Sequence, residues 1–125
     1  MSAAGTAKLV AVVDDDALLR DALRRLLKAS GLGAVSFESA EKLLNSGRLP
    51  EIACLIADVR MPGMSGLELQ AKLKAERRPI PIIFITAHGD AKMRVQAMRE
   101  GAVEFLTKPF DNAVLLEIVH AALEP

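Results

Sequence analysis

Carboxylates occur at two places in this sequence, each at the end of an apolar run. Asp14, Asp15 and Asp16 follow the run LVAVV, and Asp58 follows the run IACLIA. Asp16 is well placed to be an ordinary helix N-cap. A cap does not explain Asp58, because the next residues, VRMPGMSG, predict a loop and Ser65 is placed to cap the following helix. An unpaired buried carboxylate is costly, so Asp58 indicates a site that uses negative charge.

Acids that come close together would favour a bound cation, because carboxylates repel one another unless a cation neutralises them. Oxygen ligands suit a hard divalent ion, and Mg²⁺ is typically bound by one or two carboxylates with water and phosphate oxygens. No His or Cys lies among these acids, which argues against zinc. The pattern therefore favours Mg²⁺.

Lys108, in the motif TKP, adds the opposite charge. A lysine can anchor a bound phosphate as a point charge, and the alternative is a solvated surface lysine. Pro109 constrains the backbone beside it, and the sequence leaves open whether the Lys108–Pro109 bond is cis or trans.

Five short apolar runs alternate with helical patterns, and these elements must position the charged residues. The runs are LVAVV (9–13), AVSF (34–37), IACLIA (52–57), IIFIT (82–86) and VEFLT (103–107). Nearly continuous apolar runs are typical of parallel strands covered on both faces. Asp90 and the pair Ser65 and Glu68 carry helix-start signals. The order predicts an α/β fold, a doubly wound five-stranded parallel sheet with five helices.

In such a sheet, functional residues gather at the carboxyl ends of the strands, near the point where the strand order reverses. If the first and third strands are neighbours, Asp14, Asp15 and Asp58 converge on one crevice. Thr86 ends the fourth strand and Lys108 follows the fifth. Thr86 taken alone is more simply a β-branched residue completing its strand.

Composition limits the classes of function. The 125 residues predict one domain, 1–125, of which 51% are hydrophobic and 26% charged. The formal net charge of zero does not suggest a nucleic-acid-binding surface. The single cysteine, Cys54, excludes an internal disulfide and is interpreted as a core residue. No apolar stretch approaches the ~20 residues of a membrane span, and no secretory signal is visible, so we expect a cytoplasmic domain.

The motifs VVDDD, IADVRMPGMSG, IIFITAHGD and EFLTKPF, in this order, resemble the receiver domain of bacterial two-component response regulators. The resemblance runs from about Lys8 to Leu123. It implies the flavodoxin-like strand order 2-1-3-4-5. The segments TAHGD and MRVQAMREGAVEFLTKPF resemble the FixJ type, whose members carry a C-terminal helix-turn-helix output domain, and receivers of enhancer-binding activators are also similar. The resemblance thus implies a transcriptional output, and the sequence leaves open whether the chain is a receiver excised from a protein with a DNA-binding output domain or a stand-alone protein.

The resemblance assigns a role to each residue of the predicted site. Asp58 is the expected phosphoacceptor, which attacks the phosphohistidine of a sensor histidine kinase. Asp14, Asp15 and Asp58, with the backbone carbonyl of Arg60, are the expected ligands of Mg²⁺, the one cofactor implied. Lys108 is expected to pair with the phosphoryl oxygens.

Further residues are expected to act in switching. By resemblance, the hydroxyl of Thr86 contacts the phosphoryl group in the active state, and Phe105 is the aromatic switch residue. Our hypothesis is that Thr86 moves towards the phosphoryl group and Phe105 rotates into the vacated space. Arg60 and His88 occupy positions that tune autodephosphorylation in the family, although a loop histidine without that context is more often solvated.

The predicted helix from Asp90 to Glu100 carries two apolar stripes. Met93 and Ala97 lie on one stripe, and Val95 and Met98 lie on the other. The second stripe is either part of a broad core face or an exposed contact surface. Because the family often dimerises through this helix, we predict a phosphorylation-dependent homodimer that uses Val95.

Other classes of protein fit less well. A Mg²⁺-dependent phosphatase with an aspartate nucleophile would carry a DxD loop, but Arg60 stands where the second acid of that loop would be. A flavodoxin-like nucleotide binder would need a glycine-rich phosphate loop, which VVDDDALL lacks. A non-phosphorylated interaction module of the same fold would not need Asp58, Thr86 and Lys108. We therefore expect a signalling domain that catalyses only its own phosphoryl transfer and slow autodephosphorylation.

Overall fold

The computed structural model describes residues 9 to 124 and contains one five-stranded parallel sheet. Its strands are β1 (Leu9–Val13), β2 (Gly33–Phe37), β3 (Ile52–Asp58), β4 (Ile82–Thr86) and β5 (Glu104–Thr107). Its helices are α1 (Ala17–Ala29), α2 (Ala40–Leu44), α3 (Gly66–Ala75), α4 (Ala91–Arg99) and α5 (Asn112–Leu123), and a short 3-10 helix spans Leu49–Glu51. The strand order is β2-β1-β3-β4-β5. This order confirms the predicted doubly wound fold.

Both faces of the sheet are covered, which explains the nearly continuous apolar runs. Successive residues of a strand point to opposite faces, so Val10 and Val12 pack with α1 and α5, whereas Ala11 and Val13 pack with α2, α3 and α4. Cys54 is fully buried in the layer of α1 and α5. Its burial confirms the interpretation of this cysteine as a core residue.

Side-chain caps begin the helices where the sequence predicted them. The carboxylate of Asp16 accepts hydrogen bonds from the backbone N–H groups of Leu18 and Leu19 at the start of α1. Ser65 and Glu68 form a complete capping box at α3. The cap predictions are therefore confirmed, and the predicted strand boundaries differ from the structure by one residue at β2, β3 and β5.

Helix α4 presents its two apolar stripes to different surroundings. Ala97 is buried and Met93 is half-buried, so the first stripe packs on the sheet. On the second stripe, Val95 is 52% exposed and Met98 is 37% exposed. Of the two alternatives that the sequence leaves open, the exposed surface is the one observed in the single chain.

Within residues 9 to 124, none of the helices combines the length and the apolar character that crossing a membrane requires.

Candidate functional site

The register between β1 and β3 brings acids from two distant parts of the chain to one edge of the sheet. Val13 pairs with Ala57, so the next residue of each strand, Asp14 and Asp58, stand side by side at the carboxyl ends. Carboxylate oxygens of Asp14, Asp15 and Asp58 all lie within 4.8 Å of one another. Asp14 is completely buried, Asp58 is 6% exposed and Asp15 is exposed. The cluster is therefore open to solvent on the side of Asp15.

Backbone hydrogen bonds orient the two buried carboxylates. Asp14 Oδ1 accepts the N–H of Asp16 at 2.8 Å, and Asp58 Oδ1 accepts the N–H of Arg60 at 3.0 Å. In each residue this bond leaves the other oxygen, Oδ2, to face the crevice. The guanidinium of Arg20 donates to the backbone carbonyl of Asp14 at 2.6 Å, which ties α1 to the end of β1.

Lys108 reaches from the end of β5 to both buried acids. Its Nζ lies 3.1 Å from Asp14 Oδ2 and 3.1 Å from Asp58 Oδ2. Its backbone N–H donates to the carbonyl of Thr86 at 2.8 Å, and the Lys108–Pro109 bond is cis. The lysine side chain is only 22% exposed. Lys108 is therefore an internal countercharge in this structure and not a solvated surface lysine.

Burial of the charged carboxylates in this cluster carries an electrostatic cost, and a bound cation would lower that cost. Burial raises the pKa of Asp14, the nearby charge of Asp58 raises it further, and together they outweigh the lowering by the hydrogen bonds from the Asp16 N–H and Lys108. Burial lowers the pKa of Lys108, but its hydrogen bonds to Asp14 and Asp58 outweigh this and raise the pKa overall. Lys108 is therefore charged at neutral pH. A divalent cation beside these acids would favour their ionised forms.

The donor set suits Mg²⁺ by its chemistry. The three clustered side chains are all carboxylates, and one of them, Asp15, is exposed to solvent. Mg²⁺ prefers oxygen ligands and keeps several waters. A site with carboxylate ligands on one side and solvent on the other therefore fits this ion. Arg60 lies two positions after Asp58 in the sequence, and the role of its backbone carbonyl as a Mg²⁺ ligand stays a prediction.

Thr86 and Phe105 lie in contact with the same glycine. Thr86 is buried at the end of β4, where its Oγ1 accepts the N–H of His88 at 3.4 Å. The Phe105 ring is 4% exposed and packs against Phe84, with ring centroids 6.4 Å apart. A Cβ added to Gly89 would lie 2.7 Å from Thr86 Cγ2 and 2.7 Å from Phe105 Cε1. The missing side chain of Gly89 therefore makes room for both residues.

The remaining predicted residues lie further from the acids. The His88 side chain is exposed on the loop after β4, and Val95 lies on the outer surface of α4. The Arg60 guanidinium is exposed and reaches Met93 Sδ at 3.9 Å. The structure thus brings Asp14, Asp15, Asp58 and Lys108 together and places the other predicted residues around them.

Sequence reasoning missed two residues that support the site. Arg20 holds the Asp14 carbonyl, and Glu41 of α2 accepts the N–H of Met64 at 2.8 Å in the loop that follows Asp58. A further close contact involves Gly63, whose added Cβ would collide with the Glu41 carboxylate. No local pattern marks Glu41, because it lies 23 positions from Met64. Gly89, by contrast, lies in the motif TAHGD, so the sequence did display it.

The comparisons with known proteins identify the class of α/β domain to which this parallel sheet, its acidic crevice and its internal lysine belong. Residues 10–120 match the family model described as "Response regulator receiver domain". The chain belongs to this family, and it is a response regulator receiver domain of a two-component system.

Individual relatives support the same conclusion and the resemblance to the FixJ type. Nodulation protein W of Bradyrhizobium diazoefficiens is 48% identical over 97% of this chain and 53% of its own length. Transcriptional regulatory protein FixJ of the same organism is 42% identical over 90% of this chain and 55% of its own length. The solved structure of response regulator StyR has a TM-score of 0.87 and 48% identity, over 94% of this chain and 59% of that one. The chain spans about half the length of the curated relatives it matches.

Proposed function

We propose that this domain accepts a phosphoryl group on Asp58 from the phosphohistidine of a sensor histidine kinase. The observation that carries the proposal is the shared contact of Lys108 Nζ with Oδ2 of Asp14 and Oδ2 of Asp58. In the reaction, an oxygen of Asp58 forms the new O–P bond while the P–N bond of phosphohistidine breaks. The imidazole nitrogen keeps the electron pair of that bond.

Neutralisation of charge is the main task of the residues around Asp58. Phosphoryl transfer depends on in-line positioning and electrostatic stabilisation more than on covalent chemistry by the protein. Asp14, Asp15, Asp58 and the Arg60 carbonyl would hold Mg²⁺, which would supply positive charge beside the transferred group. Lys108 is already within 3.1 Å of Asp58 and can turn from the carboxylate to a phosphoryl oxygen with little movement.

Asp58 itself is held ready by its hydrogen bond from the Arg60 N–H. Because Oδ1 accepts that bond, Oδ2 remains as the oxygen that faces the crevice and Lys108. A fixed carboxylate of this kind loses little orientational freedom when it reacts. The phosphorylated aspartate is a known type of covalent acyl phosphate.

The switch that we propose links Thr86 to Phe105 through Gly89. Phosphorylation adds charge and strong hydrogen-bond acceptors, and Thr86 is the nearest hydroxyl on the neighbouring strand. Movement of Thr86 towards the phosphoryl group changes the packing around Gly89, which contacts both Thr86 and Phe105. The segment from residue 87 to 90 and helix α4 then shift with it. Arg60 and His88 are proposed to tune autodephosphorylation.

A mass measurement tests the proposed phosphoacceptor. The full chain is incubated with MgCl₂ and acetyl phosphate and its intact mass is recorded. We expect an adduct of one phosphoryl group that is absent in Asp58→Asn. The matched control is Asp16→Asn, because Asp16 is a neighbouring acid that only caps α1. An adduct of equal yield in Asp58→Asn would overturn the assignment.

The output of the switch is proposed to be a homodimer formed through α4. Val95 is 52% exposed on that helix and Met98 lies beside it, which gives an apolar contact surface that one chain does not cover. If this domain is joined to an output domain, as the longer curated relatives suggest, dimerisation would pair two such domains and control transcription. Residues 1–125 are proposed to form a single receiver domain.

Sedimentation velocity with and without acetyl phosphate tests the dimer. We expect a phosphorylation-dependent increase in sedimentation coefficient that Val95→Gln abolishes. Leu18→Gln serves as the control, because Leu18 is also an exposed apolar residue but lies on α1. An unchanged coefficient on full phosphorylation would contradict the proposal.

A further inference from the structure

A cavity lies at the edge of the sheet opposite the acidic crevice. Its volume is about 560 Å³, and it opens between the end of α3, the start of β4 and the end of α4. Pockets for small molecules typically have volumes of about 300–1,000 Å³. Apolar side chains form much of its wall, and these are Leu73, Pro79, Ile80, Pro81, Ile82 and Val103. The cavity is open to solvent and has room for an apolar body several carbons long.

The charged residues of the cavity are mostly basic. Lys74, Arg77 and Arg78 line it together with one acid, Glu100. Glu100 is already neutralised, because its Oε1 lies 2.8 Å from Lys74 Nζ. The guanidinium groups of Arg77 and Arg78 form no ion pair or hydrogen bond with any of residues 9–124. Two positive charges therefore remain beside the apolar wall.

The backbone at Arg77 is unusual for an arginine. Arg77 follows the cap residue of α3 with a φ of 57°, in the left-handed region that favours glycine. The equivalent positions after α1 and α4 are Gly31 and Gly101, both with positive φ. An arginine here carries a steric cost that glycine avoids. Arg77 lines both this cavity and a smaller one of about 330 Å³.

We propose that this cavity binds a small apolar carboxylate, with its hydrocarbon body on the wall formed by Ile80, Ile82 and Val103 and its carboxylate on Arg77 and Arg78. A guanidinium holds a carboxylate through two parallel N–H···O bonds, and burial of the hydrocarbon contributes affinity in proportion to its apolar area. The carboxylate supplies the negative charge that the two arginines lack. The site is separate from the phosphoacceptor, because it lies at the amino ends of the parallel strands.

Calorimetric titration of the full chain with three probes of equal chain length tests the proposal. We expect octanoate to bind more tightly than octan-1-ol, and octylammonium to bind weakest, because only the first matches the arginines in charge. Equal affinities for octanoate and octylammonium would show a merely apolar surface and overturn the proposal. Binding of an acidic amphipathic peptide without binding of octanoate would also overturn it.

A double variant identifies the residues. Arg77→Gly combined with Arg78→Gln removes both guanidiniums, and the glycine suits the positive φ at position 77, so folding is retained. We expect its dissociation constant for octanoate to rise about tenfold or more. Arg25→Gln is the control, because Arg25 is an exposed arginine on α1, across the sheet. An unchanged affinity in the double variant would refute the site. So would an NMR titration with octanoate in which the amide signals of Ile80, Ile82 and Val103 do not shift.

Discussion

Replacement of Lys108 by methionine is expected to destabilise the domain strongly when no divalent cation is present. Methionine keeps the apolar stem but removes the charge, so Asp14 and Asp58 lose the ammonium that lies 3.1 Å from each of them. Each charge-assisted hydrogen bond contributes about 1.5–3 kcal/mol, and loss of one partner of a buried ion pair costs about 3–5 kcal/mol. Because water reaches part of the lysine, we expect a loss of about 3 kcal/mol.

Magnesium should restore much of this loss, because it would replace the missing positive charge. A ligand that binds only the folded state at a hundredfold excess over its dissociation constant stabilises that state by about 2.7 kcal/mol. In the variant, no lysine competes for Oδ2 of Asp14 and Oδ2 of Asp58. The gain in stability from MgCl₂ should therefore be larger in Lys108→Met than in the native chain.

Urea denaturation with and without MgCl₂ measures both effects. The matched control is Lys42→Met, because Lys42 also pairs with an acid, Glu38, at 2.9 Å, but both side chains are exposed. Exposed ion pairs contribute little to stability, so we expect a far smaller change there. Equal losses in the two variants, or a loss in Lys108→Met that MgCl₂ does not reduce, would refute the reasoning about buried charge.

Three further predictions concern other parts of the fold. The hydrogen bond from the Met64 N–H lowers the pKa of Glu41 below its ordinary value of 4.5. The stabilisation by the Glu41 carboxylate is therefore present above that pH and is lost as the pH falls. Glu41→Gln should flatten this part of a pH–stability curve, and an unaltered curve would contradict the role of Glu41. Burial raises the pKa of Cys54 to about 12, so iodoacetamide at neutral pH should label only unfolded protein, and rapid labelling of the native protein would be the contrary result. Gly89→Ala places a Cβ 2.7 Å from Phe105 Cε1, and the overpacking should cost about 1–3 kcal/mol in urea denaturation; unchanged stability would show that the ring moves freely.

Local patterns were sufficient to predict the elements of this fold. Helix caps such as Asp16 and Ser65 act on backbone groups two or three residues away, so the sequence displays both partners together. The apolar runs also identified strands covered on both faces, because burial of both faces excludes polar residues from the run. The strand order was predicted by resemblance to the receiver family, since alternation of strands and helices alone allows several orders.

The composition of the acidic crevice was also visible in the sequence. Asp14 directly follows β1 and Asp58 ends β3, and parallel strands bring their carboxyl ends to the same edge. Only the register between β1 and β3 decided that these two acids stand side by side, because a shift of one residue would turn one of them to the other face. The sequence therefore displayed the kinds of residue at this crevice, whereas the distances between them depended on the fold.

Contacts between distant positions were decided by tertiary structure alone. Lys108 lies 94 positions from Asp14 in the sequence. Its direction is set by its place after β5 and by the hydrogen bond that its backbone N–H donates to the Thr86 carbonyl. The packing of Gly89 against Phe105 and the cavity beside Arg77 likewise depend on elements that meet only after folding. The sequence by itself determined which residues carry charge and where strands and helices begin. Their mutual distances required the folded chain, because burial and register act between residues that have no local relation in the sequence.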